Sequence, residues 1–244
     1  MKKYFGKVGL YIFLIFLSAV LYGIHYYIFH DLHHIGIYTM GDIAFLPLEI
    51  LFVTLIFHKI LNDQEKKNRW KKLNMVIGIF FSEVGNQLLA FFVLQDTRLH
   101  QWQHKLMIGM DWEKKDFQKA LQEIEEQKID LQLVRLEELK QLLILSRPFL
   151  LKMLENPALL ERELFSNLMM AVFHLGEELS LRDDIEHLSE ADQKHLGIDI
   201  SRVYRLLLQD WIVYAQHLKN EYPFLYSFTV RTNPFDPNAQ VEVK

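Results

Sequence analysis

An all-α protein is predicted: a two-span transmembrane helical hairpin followed by a cytoplasmic helical bundle. Three observations carry this reading. Residues Val8 to Phe29 include no Asp, Glu, Lys or Arg; a second apolar run extends from about Ile37 to Phe57; and residues 73–244 hold 26 of the 31 acids. A chain that is 50% apolar and 24% charged could be one ordinary domain on average, but here the two kinds of residue are segregated as if for two solvents. The absence of cysteine removes disulfides, thiolate metal sites and cysteine nucleophiles, so only His and carboxylates remain as side-chain metal ligands.

The expected organisation has four parts. Residues 1–61 form the hairpin, with spans at about 8–29 and 37–58. Residues 62–111 form a basic linker and an amphipathic juxtamembrane helix, residues 112–226 a cytoplasmic helical domain, and residues 227–244 an extended C-terminal tail. The first span has 22 residues, enough at a rise of ~1.5 Å each to cross the ~30 Å hydrocarbon layer. It ends in Tyr26, Tyr27 and Phe29, which suit an interfacial aromatic belt and argue against a cleaved signal peptide. A five-residue loop, His30, Asp31, Leu32, His33 and His34, joins it to the second span. Lys2, Lys3 and Lys7 precede the first span, and Lys59, Lys66, Lys67, Arg69, Lys71 and Lys72 follow the second. The positive-inside rule therefore places both termini in the cytoplasm, with the protein in the cell inner (plasma) membrane.

Leu73 to Leu94 is mostly apolar but carries a polar stripe of Ser82, Glu83, Asn86 and Gln87 at helical spacing. Such a face suits a helix on the inner membrane surface or in a bundle. A third span here stays open as the alternative. From Trp112, the apolar residues Phe117, Leu121, Ile124, Leu131 and Val134 recur at helical spacing, with breaks in the repeat at Lys128 and Arg135, and Pro148 interrupts that helix. Asn156 and Pro157 start a helix through Leu164, Phe165, Met169 and Phe173. Ser189 with Asp192 starts a short helix that Gly197 stops, and Asp199 then caps a strongly amphipathic helix bearing Val203, Leu206, Leu207, Trp211, Tyr214 and Leu218. Pro223 ends it. The three prolines from there on, Pro223, Pro234 and Pro237, predict an extended, docked segment and then a loose tail.

The segments GDIAFLPLEILFVTLIFHKIL (41–61), LNMVIGIFFSEVG (73–85) and YPFLYSFTVRTNPFDP (222–237) resemble an uncharacterised group of prokaryotic two-span integral membrane proteins with a helical cytoplasmic domain. The resemblance implies a fold arrangement and no activity.

Asp42 and Glu49 are the most informative residues of the second span, because a charged carboxylate near the middle of a span costs ~2.5 to 3.5 kcal/mol. Seven residues apart, they share nearly one helical face, and Pro47 between them frees the carbonyl of Ile43. They could line a path for a cation or proton. Two spans cannot enclose a pore, so that function requires self-association into a closed ring of subunits. Otherwise Asp42 is interfacial and Glu49 is protonated against a neighbouring helix. A hairpin with Asp and Glu at the start of its second span resembles the mitochondrial calcium uniporter, but the Trp-Asp-x-x-Glu-Pro signature is absent and no residue is carried over.

The loop residues His30, Asp31, His33 and His34 offer a metal-binding or pH-sensing cluster, and HxxHH resembles one histidine box of the membrane desaturases. The other candidate for a box, His100 with His104, falls on the opposite membrane face. Arg182 with His187, and Arg98 with His104, resemble the Arg and His spacing of HEPN ribonucleases, two matches where composition gives about one by chance. The C-terminal region from residue 73 has 18 basic and 26 acidic residues, a net of −8 that disfavours nucleic acid. No phosphate-binding Gly-rich loop, G-x-S-x-G elbow or H-E-x-x-H helix is present. The expectation is thus a homo-oligomeric integral membrane protein, a cation-conducting or regulatory pore, whose partners are the lipid bilayer, its own copies and a cation. It is not read as an enzyme, and no cofactor is expected. The alternatives are a non-conducting scaffold or signalling protein that recruits partners through its acidic domain, and a membrane-anchored HEPN-like ribonuclease.

Overall fold

The computed structural model describes residues 2–127, 129–131 and 135–242. Lys128 and Val134, used above, lie outside the described residues, as do the side chains of Lys2, Lys3 and Lys7. The all-α expectation holds. Among the described residues every regular element is helical, and the only β pairing is an isolated bridge between Asp96 and Leu131. The chain divides into two compact units, residues 1–66 and 67–244.

The first unit contains helix α1, Lys2–Phe29, and the beginning of α2, Leu32–Phe80. Only His30, with φ of 51°, and Asp31 lie between them. The turn is shorter than the five residues expected because Asp31 accepts the backbone N–H of His34 at 3.0 Å, an N-cap that starts the helix at Leu32. His33 and His34 are therefore in the first helical turn. α2 contains Pro47 and passes through residue 58, where the second span was expected to end, and on through the basic stretch 62–72. No Gly or Pro occurs between residues 48 and 77, so nothing in the sequence stops it. Both helices are long and apolar enough to cross a membrane. Apart from Ile35, every large apolar side chain from Ile12 to Leu61 is exposed.

The second unit is a helical bundle, and its boundary differs from the expected one at residue 112. The last turns of α2, a π-helical turn at Phe81–Gly85 and α3, Asn86–Val93, bury Leu73, Ile77, Phe80, Phe81, Val84, Leu88, Leu89 and Phe92. The stretch read as a juxtamembrane helix is thus core of this unit, with Ser82, Glu83, Asn86 and Gln87 facing out. An apolar face of this width meets protein as readily as lipid. Phe80 meets Phe165 edge-on at 5.3 Å, Phe81 stacks on Tyr214 at 5.2 Å, and a Cβ at Gly78 would lie 2.7 Å from the Tyr214 hydroxyl. A side chain at Gly78 would displace the Tyr214 ring.

A short helix, α4 (Leu99–Trp102), precedes α5, Lys114–Glu126, whose start is braced by the Glu113 backbone N–H donating to Asp116 at 2.8 Å. The expected single helix from Trp112 to Pro148 is in fact two. α5 ends before Gln127, and α6, Leu136–Leu154, starts after Arg135 at φ 63° and continues through an exposed Pro148. Helix α7, Pro157–Leu160, does begin at the proline, but it stops before α8, Glu163–Ser180. Helix α9 is one helix, Glu190–Glu221, capped by Ser189 accepting from the Asp192 N–H at 3.3 Å. Gly197 does not stop it: glycine costs only ~1 kcal/mol in a helix, against burial of Leu196, Ile200 and Val203 around it. Asp199, read as a cap, lies inside α9. This helix packs on α3, α5, α8 and α10, and α8 packs on α6 and α7.

The tail is not extended from residue 227. Pro223 opens another helix, α10 (Pro223–Arg231), and the chain after it is docked. The Asn233 side chain donates to the Leu106 carbonyl at 3.1 Å and accepts the Phe235 N–H at 2.9 Å, while the Phe235 ring meets Trp211 edge-on at 5.3 Å.

Candidate functional site

Two helical pairs of side chains face each other where α8 packs on α9. His174 and Glu178 are four residues apart on α8, and His195 and Asp199 four apart on α9, so each pair shares one helical face. Their donor atoms converge. Asp199 Oδ2 lies 3.3 Å from His174 Nε2 and 3.4 Å from His195 Nε2, and Glu178 Oε2 lies 3.6 Å from His195 Nε2. One ligand atom from each of His174, Glu178 and His195 falls within 4.8 Å of the others. The two imidazoles are half-exposed, whereas the Asp199 side chain is only 4% exposed.

The carboxylates are aimed by arginines. Arg202 donates to Asp199 Oδ1 at 2.7 Å, leaving Oδ2 toward the imidazoles. Oδ2 is buried and has no hydrogen-bond partner, because neither ring nitrogen is aligned with it. Arg182 donates to Glu178 Oε2 at 2.6 Å and forks onto both oxygens of Asp192, at 2.7 and 3.0 Å. The Arg182 hydrogen bond holds the Glu178 carboxyl below the ordinary glutamate range, so it stays an anion. Two imidazoles and two carboxylates are the donor set from which a cysteine-free chain can hold a metal ion. Beside them lies an open groove of about 1170 Å³, lined by Met170, His174, Ile198, Arg202 and Arg205 among others.

A second polar centre is fully enclosed. Arg162, at the start of α8, donates to Asp210 at 2.6 Å and to the Asn74 side chain at 2.9 Å. Asp210 is fully buried, and its second oxygen has no partner. Burial pushes its carboxyl up to about 7, against the pull of Arg162. Burial also lowers His217, whose Nε2 is enclosed without a partner.

The residues expected from sequence are placed as follows. Asp42 and Glu49 are both exposed on α2 in the first unit, on nearly the same face. Among the turn histidines, His30 lies beside the Tyr26 and Tyr27 rings, His34 stacks on His25 at 6.1 Å and touches Tyr38 at 4.6 Å, and Asp31 is occupied as a cap. The three-donor cluster found among the described residues is the one on α8 and α9 and includes none of the turn residues. Arg182 is spent on Glu178 and Asp192, while the exposed His187 is held by Asp184 at 3.0 Å, so that pair is directed to different carboxylates. Arg98 pairs with Asp130 at 3.6 Å, and His104 is exposed.

A helical N-terminal unit followed by a separate helical bundle defines a two-part, all-helical class of protein, and the family matches divide at the same place. Residues 2–61 match "MJ1433, N-terminal helical domain", and residues 69–231 match "Uncharacterized protein MJ1433, C-terminal helical domain". The chain is 44% identical over 225 residues to "Uncharacterized protein MJ1433" of Methanocaldococcus jannaschii, covering 91% of this chain and 90% of that protein. The chain belongs to the MJ1433 family. No solved structure matches it.

Proposed function

We propose that this is an integral membrane protein of the plasma membrane, self-associating through its first unit and presenting the second in the cytoplasm. One observation carries the reading: the large apolar side chains from Ile12 to Leu61 are exposed almost without exception, over two helices long enough to cross a bilayer. Each such side chain left in water forgoes ~1.5 to 3 kcal/mol of burial, and soluble monomers rarely expose an apolar patch larger than a few hundred Å². Lipid and neighbouring copies are the occupants that cover such a surface. Asp42 and Glu49, on one face and about 10 Å apart along the axis at ~1.5 Å per residue, are poorly suited to acyl chains. They are suited to a shared polar seam, and closing copies around that seam makes a ring of acids and a path for a cation.

Alkaline carbonate treatment of native membranes tests the first part. The protein is expected to remain in the pellet, and release into the supernatant overturns membrane insertion. Flux into liposomes tests the second. Glu49→Gln is expected to change cation flux with assembly intact. Assembly without flux in either protein removes the pore and leaves a scaffold.

A further inference from the structure

We propose that His174, Glu178 and His195 bind one divalent cation of the zinc class per chain, clipping α8 to α9, with the buried Asp199 carboxylate beside the two imidazoles. Metal–nitrogen and metal–oxygen bonds of 2.0 to 2.2 Å in a tetrahedron set its ligand atoms about 3.3 to 3.6 Å apart. The Glu178-to-His195 separation of 3.6 Å matches such an edge, and one ligand atom from each of His174, Glu178 and His195 lies within 4.8 Å of the others.

Asp199 supplies the independent evidence. Its Oδ2 is buried and lies near two imidazole nitrogens, yet accepts a hydrogen bond from neither. A buried carboxylate oxygen without a donor is destabilising, and a cation held by the two imidazoles beside it offsets that cost. Were the histidines simply charged partners of Asp199, their N–H bonds would point at it.

The surrounding charges fit the same role. Arg202 on Asp199 Oδ1 and Arg182 on Glu178 Oε2 orient the carboxylates as outer hydrogen-bond partners do around metal ligands. Each carboxylate oxygen has two lone pairs, so Arg182 on Glu178 Oε2 leaves that oxygen able to take a metal as well. Two imidazoles select against calcium and magnesium, which take oxygen ligands, and in favour of zinc, cobalt or copper. His174 and His195 are half-exposed, which gives the ion a route in.

The test uses the full-length protein in detergent, stripped with a chelator and titrated with Co²⁺. Absorption in the visible range reports tetrahedral coordination. Saturation is expected at one Co²⁺ per chain, with displacement by Zn²⁺ and a Zn²⁺-dependent rise in melting temperature. His174→Ala and His195→Ala, at half-exposed positions that leave the core intact, are each expected to weaken binding by at least about 100-fold, since losing even an outer hydrogen-bond partner of a ligand costs about 10- to 100-fold. Circular dichroism checks that these variants fold. A paired His33→Ala, His34→Ala variant is expected to bind normally. Absence of saturable binding, binding unchanged in the α8 and α9 variants, or binding lost in the His33, His34 variant overturns the proposal. None of these outcomes depends on whether the first unit enters a membrane.

Discussion

Asp210 and Arg162 form an ion pair from which water is almost excluded, and the energetics of the pair follow from that. Removing one member strands the other as an uncompensated buried charge, so Asp210→Ala is expected to cost about 3 to 5 kcal/mol in denaturant unfolding. The pH dependence has a definite sign. The folded carboxyl is raised above its unfolded value of 3.8, so its stabilisation is fully present below about 3.8 and is lost as pH rises through about 7. The stability of the natural protein relative to Asp210→Asn is therefore expected to fall between pH 4 and pH 7, and urea titrations across that range check it. A difference that grows with pH would mean the carboxyl is ionised throughout. Part of this centre was legible: Asp210 falls three residues after Leu207 and seven after Val203, on the apolar face of α9, where an acid is out of place. Arg162 was not, since it stands among Glu161 and Glu163 and reads as surface. The α8 and α9 cluster was half legible in the same way. The four-residue spacing of His174 to Glu178 and of His195 to Asp199 is in the sequence, but their meeting depends on which helices pack together.

At the scale of the element, α5 shows how a helix is ended by something far away in the chain. Arg205 on α9 donates to the carbonyls of Ile124, Glu125 (3.1 Å) and Gln127 (2.9 Å) at the C-terminus of α5. The last carbonyls of a helix have no partner within it, and a guanidinium there also meets the negative end of the helix dipole. Arg205→Ala is expected to destabilise the fold by about 1 to 3 kcal/mol in urea unfolding. Arg205→Lys is expected to recover only part, because one ammonium cannot span three carbonyls as the planar fork does. Full recovery by lysine would reduce the contact to charge alone. This ending explains why the helix from Trp112 was drawn too long: no Gly or Pro stands at residues 124–127, and the signal is an arginine 80 residues later. The opposite errors, at Pro148 and Gly197, share one cause. A local breaker sets a cost of about 1 kcal/mol for glycine and about 3 kcal/mol or more for proline, and burial on either side outweighs it. Ser189 and Pro157 were read correctly as starts because an N-terminus needs only a local cap or a free N–H, whereas Pro223, read only as the end of α9, also opens α10.

For the molecule as a whole, the division at residues 66 and 67 separates a part without an internal core from a part that holds all the buried large apolar side chains among the described residues. A chain beginning at Lys67 is therefore expected to be monodisperse in buffer without detergent and to melt cooperatively, with gel filtration and calorimetry as the measurements. Aggregation of that fragment would show that its fold depends on the first unit. The all-helical class and the two apolar helices were legible because composition and period suffice for them. The boundary was not, because an apolar stripe such as Leu73 to Phe92 carries no mark of whether lipid or protein covers it. The junction between the units is itself helical, in the middle of α2. Lys66, Lys67, Arg69, Lys71 and Lys72 crowd there, the residues after which trypsin cuts, yet a protease must draw its substrate into an extended strand and finds hydrogen-bonded turns instead. The stretch richest in cleavage sequences is thereby among the worst shaped for nicking, and the two parts stay joined in one polypeptide.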